Sequence, residues 1–250
     1  MIAVVTGASS GIGSEFCRAL DSEGLDAIWL VARRVDRLER LAEELDTPCE
    51  VVPADLTDRG QLKSLVDSVV SSGQEVRYLV NCAGAGRFGD TTDLSAEDTA
   101  MIIDLNVTAL TEMCRGCIPA MPHGSTIVNV CSASAYLPLR GLNVYSATKT
   151  YVRSFCDALR QELGPRGIGV LEVSPGWVDT DFIPISRSSG DVPEAVFKHT
   201  VKARDVAVRA VADAKRGRKR SICGAYNRLQ VFVCIHMPRL STAVWRRSLG

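Results

Sequence analysis

The sequence predicts an alternating α/β chain built on a doubly wound parallel β-sheet of about seven strands, with helices on both faces. Three observations carry that expectation. Short apolar runs alternate with helix-length amphipathic segments along the chain. The apolar runs are continuous instead of alternating with polar residues, as strands buried on both faces are. Glycine is abundant, at 20 in 250 residues, while aromatics make up only 6%, which favours many tight turns over a β-sandwich.

Strands are expected at 2–5, 27–32, 50–52, 78–80, 126–130, 170–173 and 221–223. Between the second and third, Val35, Leu38, Leu41, Ala42 and Leu45 form one helical stripe. Met101, Leu105, Leu110, Met113, Cys117 and Ile118 form another, within a helix over 97–121, and Val144, Ala147, Tyr151, Val152, Phe155, Leu159 and Leu163 form a third. The stretch 185–193 (ISRSSGDVP) reads as loop, inside a segment 183–200 that sits where a substrate lid would be. With no internal repeat and no linker, 1–250 reads as one domain, with a cofactor-binding part (1–130) and a catalytic and substrate part (131–250).

Twenty-nine Lys/Arg balance 29 Asp/Glu, which argues against a nucleic-acid footprint over the whole protein. The balance hides an asymmetry: residues 1–186 carry 15 basic against 25 acidic side chains, and 187–250 carry 14 against 4. Nine cysteines lie scattered in apolar surroundings, as reduced core thiols do, and no basic leader precedes the first apolar run, so a cytoplasmic location is expected. Cys114 and Cys117 have CxxC spacing but fall within a helical stripe and lack a second pair. His123, His199 and His236 are too far apart to read as metal ligands, so no metal is expected.

Thr6-Gly7-Ala8-Ser9-Ser10-Gly11-Ile12-Gly13 follows the first strand and opens a helical stripe of Phe16, Ala19 and Leu20. Glycines there let the backbone turn tightly and approach a pyrophosphate, which the free N–H groups and dipole of the helix then stabilise. This marks a Rossmann-type dinucleotide site. A second match, Gly84-Ala85-Gly86-Arg87-Phe88-Gly89, has no helical stripe directly after it and reads as a loop on the rim. The second strand ends in Arg33-Arg34 without an acid for a ribose 2′-hydroxyl, which favours NADP(H), with Arg33 the first candidate for the 2′-phosphate and Arg34 the second.

Tyr145 and Lys149 stand four apart on one helical face, and Ser132 ends the fifth strand at the carboxyl edge of the sheet. A phenol is a weak base at neutral pH, and a neighbouring ammonium favours its ionised form, so Lys149 is expected to lower the pKa of Tyr145. With the glycine loop, Asp55-Leu56, Asn81-Cys82-Ala83-Gly84, Asn106 and the run Ser174-Pro175-Gly176-Trp177-Val178-Asp179-Thr180, the chain resembles the short-chain dehydrogenase/reductase family over roughly residues 1–182. Cys82 and Cys131 depart from the family's usual small or polar residues at those places.

The resemblance implies an oxidoreductase acting on CH–OH groups. Tyr145 would be the general acid that protonates the carbonyl oxygen in reduction and the base in the reverse direction. Lys149 would tune it and hold the nicotinamide ribose, Ser132 would polarise the substrate oxygen, and Asn106 would hold a water linking Lys149 to solvent. Gly7, Ser9, Ser10, Gly11, Ile12 and Gly13 would cradle the phosphates. Asp55 and Leu56 would lie by the adenine, Asn81, Ala83 and Gly84 by the adenosine ribose, and Pro175, Gly176, Val178 and Thr180 by the nicotinamide. A homodimer or homotetramer through the helices bearing Asn106 and Tyr145 is implied as well.

Phe88, Tyr136, Leu137, Leu139, Trp177, Phe182 and Ile183 are expected to line an apolar substrate pocket suited to a hydroxysteroid or hydrophobic ketone, with Arg140 and Arg187 at its mouth. A 3-oxoacyl-type reductase and a non-catalytic NADP(H) sensor are the alternatives. A sensor has no need of Ser132, Tyr145 and Lys149 together. The basic segment 215–250 is expected to be a final strand and a helix, kinked or ended at Pro238, packing on the core or a second subunit; contact with an anionic membrane is the less favoured expectation, and nucleic acid is not expected.

Overall fold

The computed structural model describes residues 1–137, 139–187 and 194–248. The chain runs β1 (Ile2–Thr6), α1 (Gly11–Leu20), β2 (Ala27–Ala32), α2 (Val35–Glu44), β3 (Cys49–Pro53), α3 (Arg59–Ser71) and β4 (Val76–Asn81). A long helical stretch follows as α4 (Ala96–Ile103), a π-helical turn (Asp104–Ala109) and α5 (Leu110–Cys117), then β5 (Thr126–Val130), α6 (Asn143–Leu163) and β6 (Gly169–Val173). Last come β7 (Val178–Asp179), α7 (Phe182–Arg187), β8 (Val201–Lys202), α8 (Ala203–Lys215), β9 (Arg220–Ser221), α9 (Ala225–His236) and α10 (Pro238–Ser248).

Seven strands pair in parallel in the order β3-β2-β1-β4-β5-β6-β9, and β7 pairs with β8 apart from them. Successive residues of β1 explain why its sequence is apolar throughout. Ile2 and Val4 pack toward Leu62 of α3, Met113 of α5 and Val152 of α6, whereas Ala3 and Val5 pack toward Phe16 of α1, Leu38 of α2 and Val206 of α8. Strand order reverses between β1 and β4, and a doubly wound sheet leaves a crevice outside the strands' carboxyl ends at such a point.

Three local expectations change. β9 covers only Arg220–Ser221 instead of 221–223, because Gly224, at φ 89°, turns the chain into α9. Pro238 does not kink a helix: α9 stops at His236, and Pro238 opens α10 as its first residue, where its missing N–H costs nothing. Ile185–Arg187, expected as loop, belong to α7, whose start is supported by the Phe182 N–H on Thr180 Oγ1 (3.4 Å) and whose end is tied to the loop after β4 by the Phe88 N–H on the Ser186 carbonyl (2.8 Å). The rest of that stretch, 188–193, lies outside the described residues.

A polar cluster joins β6, β9 and the turn after β5. Glu172 of β6 is fully buried and accepts hydrogen bonds from the Tyr136 hydroxyl, from Ser174 Oγ (2.5 Å) and from Arg220 Nε (3.0 Å). The guanidiniums of Arg153 and Arg220 lie 4.8 and 5.2 Å from the Tyr136 ring centre, within cation–π range. Among the described residues no helix is long and apolar enough to cross a membrane.

Candidate active site

A cavity of about 620 Å³ opens in the crevice, its walls formed by the segments that leave β1 to β6 at their carboxyl ends. Gly7, Ser9, Ser10, Gly11, Ile12, Arg33, Arg34, Asp55, Leu56, Ala83, Gly84, Ser132, Tyr145, Lys149, Pro175, Gly176, Val178 and Thr180 line it; Gly13, Asn81 and Asn106 do not.

At one end lies the glycine loop. Gly7 and Gly11 adopt φ of 71° and 57°, the left-handed region that side chains disfavour. A Cβ on Gly7 would stand 2.9 Å from the Ala83 nitrogen, and one on Gly13 only 2.2 Å from the Gly7 carbonyl oxygen. Gly13 therefore lets α1 settle onto the loop instead of facing the cavity. Ser10 at the N-cap of α1 makes no side-chain cap, so the first-turn N–H groups remain available to an anion. This cradle fits a pyrophosphate.

The two arginines exchange their expected order. Arg34 reaches back from β2 to the loop, donating to Ser9 Oγ from Nη2 (3.1 Å) and to Ser10 Oγ (2.8 Å). Arg33 is largely exposed and pairs with Asp55 across the mouth at 3.6 Å. Both line the cavity beside the glycine loop, and Arg34 is the more firmly positioned.

At the other end, α6 presents Tyr145 and Lys149, and β5 delivers Ser132. Lys149 is buried, its Nζ donating to the Val130 carbonyl at 2.8 Å and lying 5.7 Å from the Tyr145 ring centre. Burial pulls its pKa down. Burial also drives the Tyr145 phenol above its usual range, with a hydrogen bond to Ser132 opposing the rise. The expected lowering by Lys149 has no part in this shift: its ammonium is directed at the Val130 carbonyl, and burial of the phenol dominates. Cys131, a departure from the family pattern, donates its thiol to the Lys149 carbonyl at 3.1 Å and so ties β5 to α6.

Asn106 sits in the π-helical turn, fully buried. Its amide grips the Ala85 backbone from both sides, Oδ1 accepting from the N–H (2.9 Å) and Nδ2 donating to the carbonyl (2.8 Å), and Nδ2 also donates to Thr148 Oγ1 (3.0 Å). The residue anchors the rim loop to α6 beside Lys149. The loop needs its glycines: a Cβ on Gly86 would lie 2.9 Å from Phe182 and 3.0 Å from Tyr145, and one on Gly84 would lie 3.2 Å from Asn106 Oδ1. Asn81 corrects another expectation, because its side chain is buried in the helix layer, donating to Asn129 Oδ1 (2.8 Å) and Cys114 Sγ (3.3 Å), away from any ribose.

The substrate end differs from the expected set. Leu137, Leu139, Trp177 and Phe182 line it, but Phe88 is buried against Trp177 and Phe197, Tyr136 is committed to Glu172, and Ile183 is off the wall. Arg140 pairs with Asp90 (3.3 Å) and Arg187 lies 5.5 Å from the Phe197 ring centre, so neither reaches the cavity. Arg87, within the rim segment 85–88 expected there, lines the cavity, as do Met101 and, from α9, Gln230 and Cys234, which the sequence did not mark. Residues 229–237 read LQVFVCIHM, apolar around most of the helix, so no periodicity shows which side faces in. Cys114 and Cys117 are buried on α5, and burial pushes the Cys117 thiol up to about 12, which leaves the CxxC inert. Among the described residues no His/Cys/Asp/Glu group could hold a metal ion.

The geometry has counterparts elsewhere. Sulfoacetaldehyde reductase 2 of Chromohalobacter salexigens is 33% identical over 216 residues, covering 82% of this chain and 85% of that protein. A short-chain dehydrogenase from Sphingobium yanoikuyae, solved in complex with NADPH, superposes with a TM-score of 0.79 at 26% identity, covering 96% of this chain and 95% of its own. The bulky-bulky ketone specific alcohol dehydrogenase of Comamonas testosteroni superposes with a TM-score of 0.76 at 25% identity, covering 98% and 91%. The family model for the short chain dehydrogenases matches residues 1–189, three quarters of the length and every strand from β1 to β7, and the chain belongs to that family of oxidoreductases.

Proposed function

We propose that the chain is an NADP(H)-dependent oxidoreductase that moves a hydride between the nicotinamide and a carbonyl or secondary alcohol of a lipophilic substrate, such as a bulky ketone or hydroxysteroid. The observation that carries this is one cavity with Arg33 and Arg34 at the glycine-loop end and Ser132, Tyr145 and Lys149 at the other. Residues 1–130 mainly bind the cofactor and 131–250 mainly handle the substrate, with 183–200 as lid.

The bound dinucleotide supplies or accepts the hydride. The protein's residues do the rest. Ser132 donates a hydrogen bond to the substrate oxygen, where negative charge develops. Tyr145 gives its hydroxyl proton to that oxygen in reduction and takes it back in oxidation. Lys149, held by the Val130 carbonyl, stands ready to contact the ribose, and Asn106 fixes the loop and helix on either side of it. Thr180, Val178, Pro175 and Gly176 border the nicotinamide end, and Asp55 and Leu56 border the adenine end.

The substrate class follows from the lining. Leu137, Leu139, Trp177 and Phe182 offer apolar surface around one polar reacting edge, which favours a lipophilic carbonyl. A small anionic aldehyde, the substrate in the halophile relative's name, calls for a free cation there, and Arg87 at that end is already paired with Asp98 at 3.2 Å. The exposed Ile103 of α4 and Tyr151 of α6 support a homodimer or homotetramer through these helices, and nine unpaired cysteine thiols fit a cytoplasmic setting.

Two measurements test this reading. Across a panel of steroids, aryl ketones, acyl thioesters and sugars, turnover with NADPH should favour the steroids or ketones; silence across the panel beside tight NADPH binding would return the sensor alternative. The Arg33→Ala/Arg34→Ala double variant should raise the Kd for NADPH tenfold or more and leave NADH nearly unchanged, since hydrogen bonds to a charged group contribute about 1.5–3 kcal/mol. Equal losses for both dinucleotides would mean that the 2′-phosphate lies elsewhere.

A further inference from the structure

We propose that the outer face of α9 and α10 rests on an anionic membrane surface. A helix on the outside of a globular protein ordinarily turns a polar face to water. α9 does not. Its inner face is buried through Asn227, Val231 and Cys234, with Gln230 and Cys234 walling the substrate end of the cavity. On its outer face and along α10, Leu229, Phe232, Ile235, Met237, Leu240 and Val244 are 46% to 61% exposed. So many large apolar side chains on two consecutive helices exceed the scattered exposure of a monomer's surface and mark a contact surface.

Charge selects the occupant. Residues 222–250 contain Arg228, Arg239, Arg246 and Arg247 and no acid, and Arg228 and Arg239 are exposed among the apolar residues. A second copy would set this face against itself about a two-fold axis, bringing guanidiniums together with no carboxylate to pair them. Anionic lipid headgroups take the arginines while the apolar side chains enter the headgroup–acyl boundary. The basic run 215–220 is not part of this face. It joins α8 to β9, at the end of that strand away from α9, and Lys215, Arg218 and Arg220 are engaged with Glu23 (3.0 Å), Asp213 (3.2 Å) and Glu172 (3.0 Å).

The arrangement also gives the surface a use, which rests on the lipophilic substrate proposed above. The helix that touches the bilayer is the one that closes the substrate end, so a ketone dissolved in the membrane has a short path to Tyr145.

The test reads binding without turnover, so its failure is distinct from failure of the oxidoreductase reading. The full chain is sedimented with phosphatidylcholine vesicles and with vesicles containing phosphatidylglycerol. Expected is co-sedimentation with the phosphatidylglycerol vesicles alone, weakening as salt is raised, and at least a tenfold loss in the Leu229→Glu/Phe232→Glu variant with its Tm unchanged. No binding to phosphatidylglycerol vesicles at low salt, or equal binding by the variant, would overturn the proposal. So would an unbound wild type whose dimer, seen by light scattering, dissociates in the variant, because the face would then belong to a second copy.

Discussion

Replacing Tyr145 by Phe should abolish turnover in both directions while NADPH still binds. The substitution removes one oxygen and keeps the ring against Phe182, at 5.4 Å between centres, so the wall of the cavity persists. What is lost is the proton donor. Positioned acid–base groups contribute about a hundredfold to ten-thousandfold, and Ser132 is expected to polarise the substrate oxygen without replacing that proton. The check is a steady-state rate beside a fluorescence titration of NADPH. More than a few per cent of the wild-type rate would remove Tyr145 from the role. The wild-type pH profile should agree in sign. Because burial holds the phenol's pKa above its usual range, its proton stays on through neutrality, so reduction should run flat there and fall only on the alkaline side, while oxidation, which needs the deprotonated form, should climb with pH.

The largest effect on stability should come from Arg220→Ala. Glu172 is fully buried, and Arg220 is the cation that pairs with it, at 3.0 Å, while Tyr136 and Ser174 supply only neutral hydrogen bonds. Removing one partner of a buried pair costs about 3–5 kcal/mol, and the lower end applies because Arg220 keeps part of its side chain in water. For a chain of this length roughly 2–4 °C of Tm accompanies each kcal/mol, so a fall of about 6–12 °C is expected in thermal denaturation. A Glu172→Gln/Arg220→Ala variant, which no longer buries a charge, should recover part of it. A fall below about 2 °C for Arg220→Ala alone would mean that the cluster does not hold β9 to β6. Catalysis should suffer too, because Tyr136 closes the turn that begins at Ser132.

The parts of this molecule legible in the sequence are those set by neighbours along the chain. Largely apolar runs marked the seven strands to within a few residues, since strands covered on both faces by helices bury most of their side chains, with Asn129 and Glu172 as buried polar exceptions. The spacing of Gly7, Gly11 and Gly13 marked a loop that needs left-handed backbone and close approach, and the four-residue step from Tyr145 to Lys149 put both on one helical face. Strand-end placement of Ser132 and Arg33-Arg34 followed from the same local arithmetic.

Packing decided what local spacing leaves open. Asn81 turned from the cavity so that its Nδ2 donates to Asn129 and Cys114, and Tyr136 turned from the expected substrate wall to give its buried hydroxyl to Glu172, partners that the chain brings from 48 and 36 residues away for Asn129 and Glu172. Arg34 rather than Arg33 met the glycine loop once β2 lay beside β1. The segment 229–237 shows a helix's composition but no polar side, so only its seat against the turn after β5 determined that Gln230 and Cys234 face the cavity and Leu229 and Phe232 face outward. The sequence by itself determined the order of strands and helices, the spacing of the glycine loop and the placing of Tyr145 and Lys149 on one helical face, all set by neighbours along the chain. Tertiary structure alone decided their electrostatics, the partners of the buried polar groups and the inner side of α9, because burial and distance between remote segments exist only once the sheet has formed.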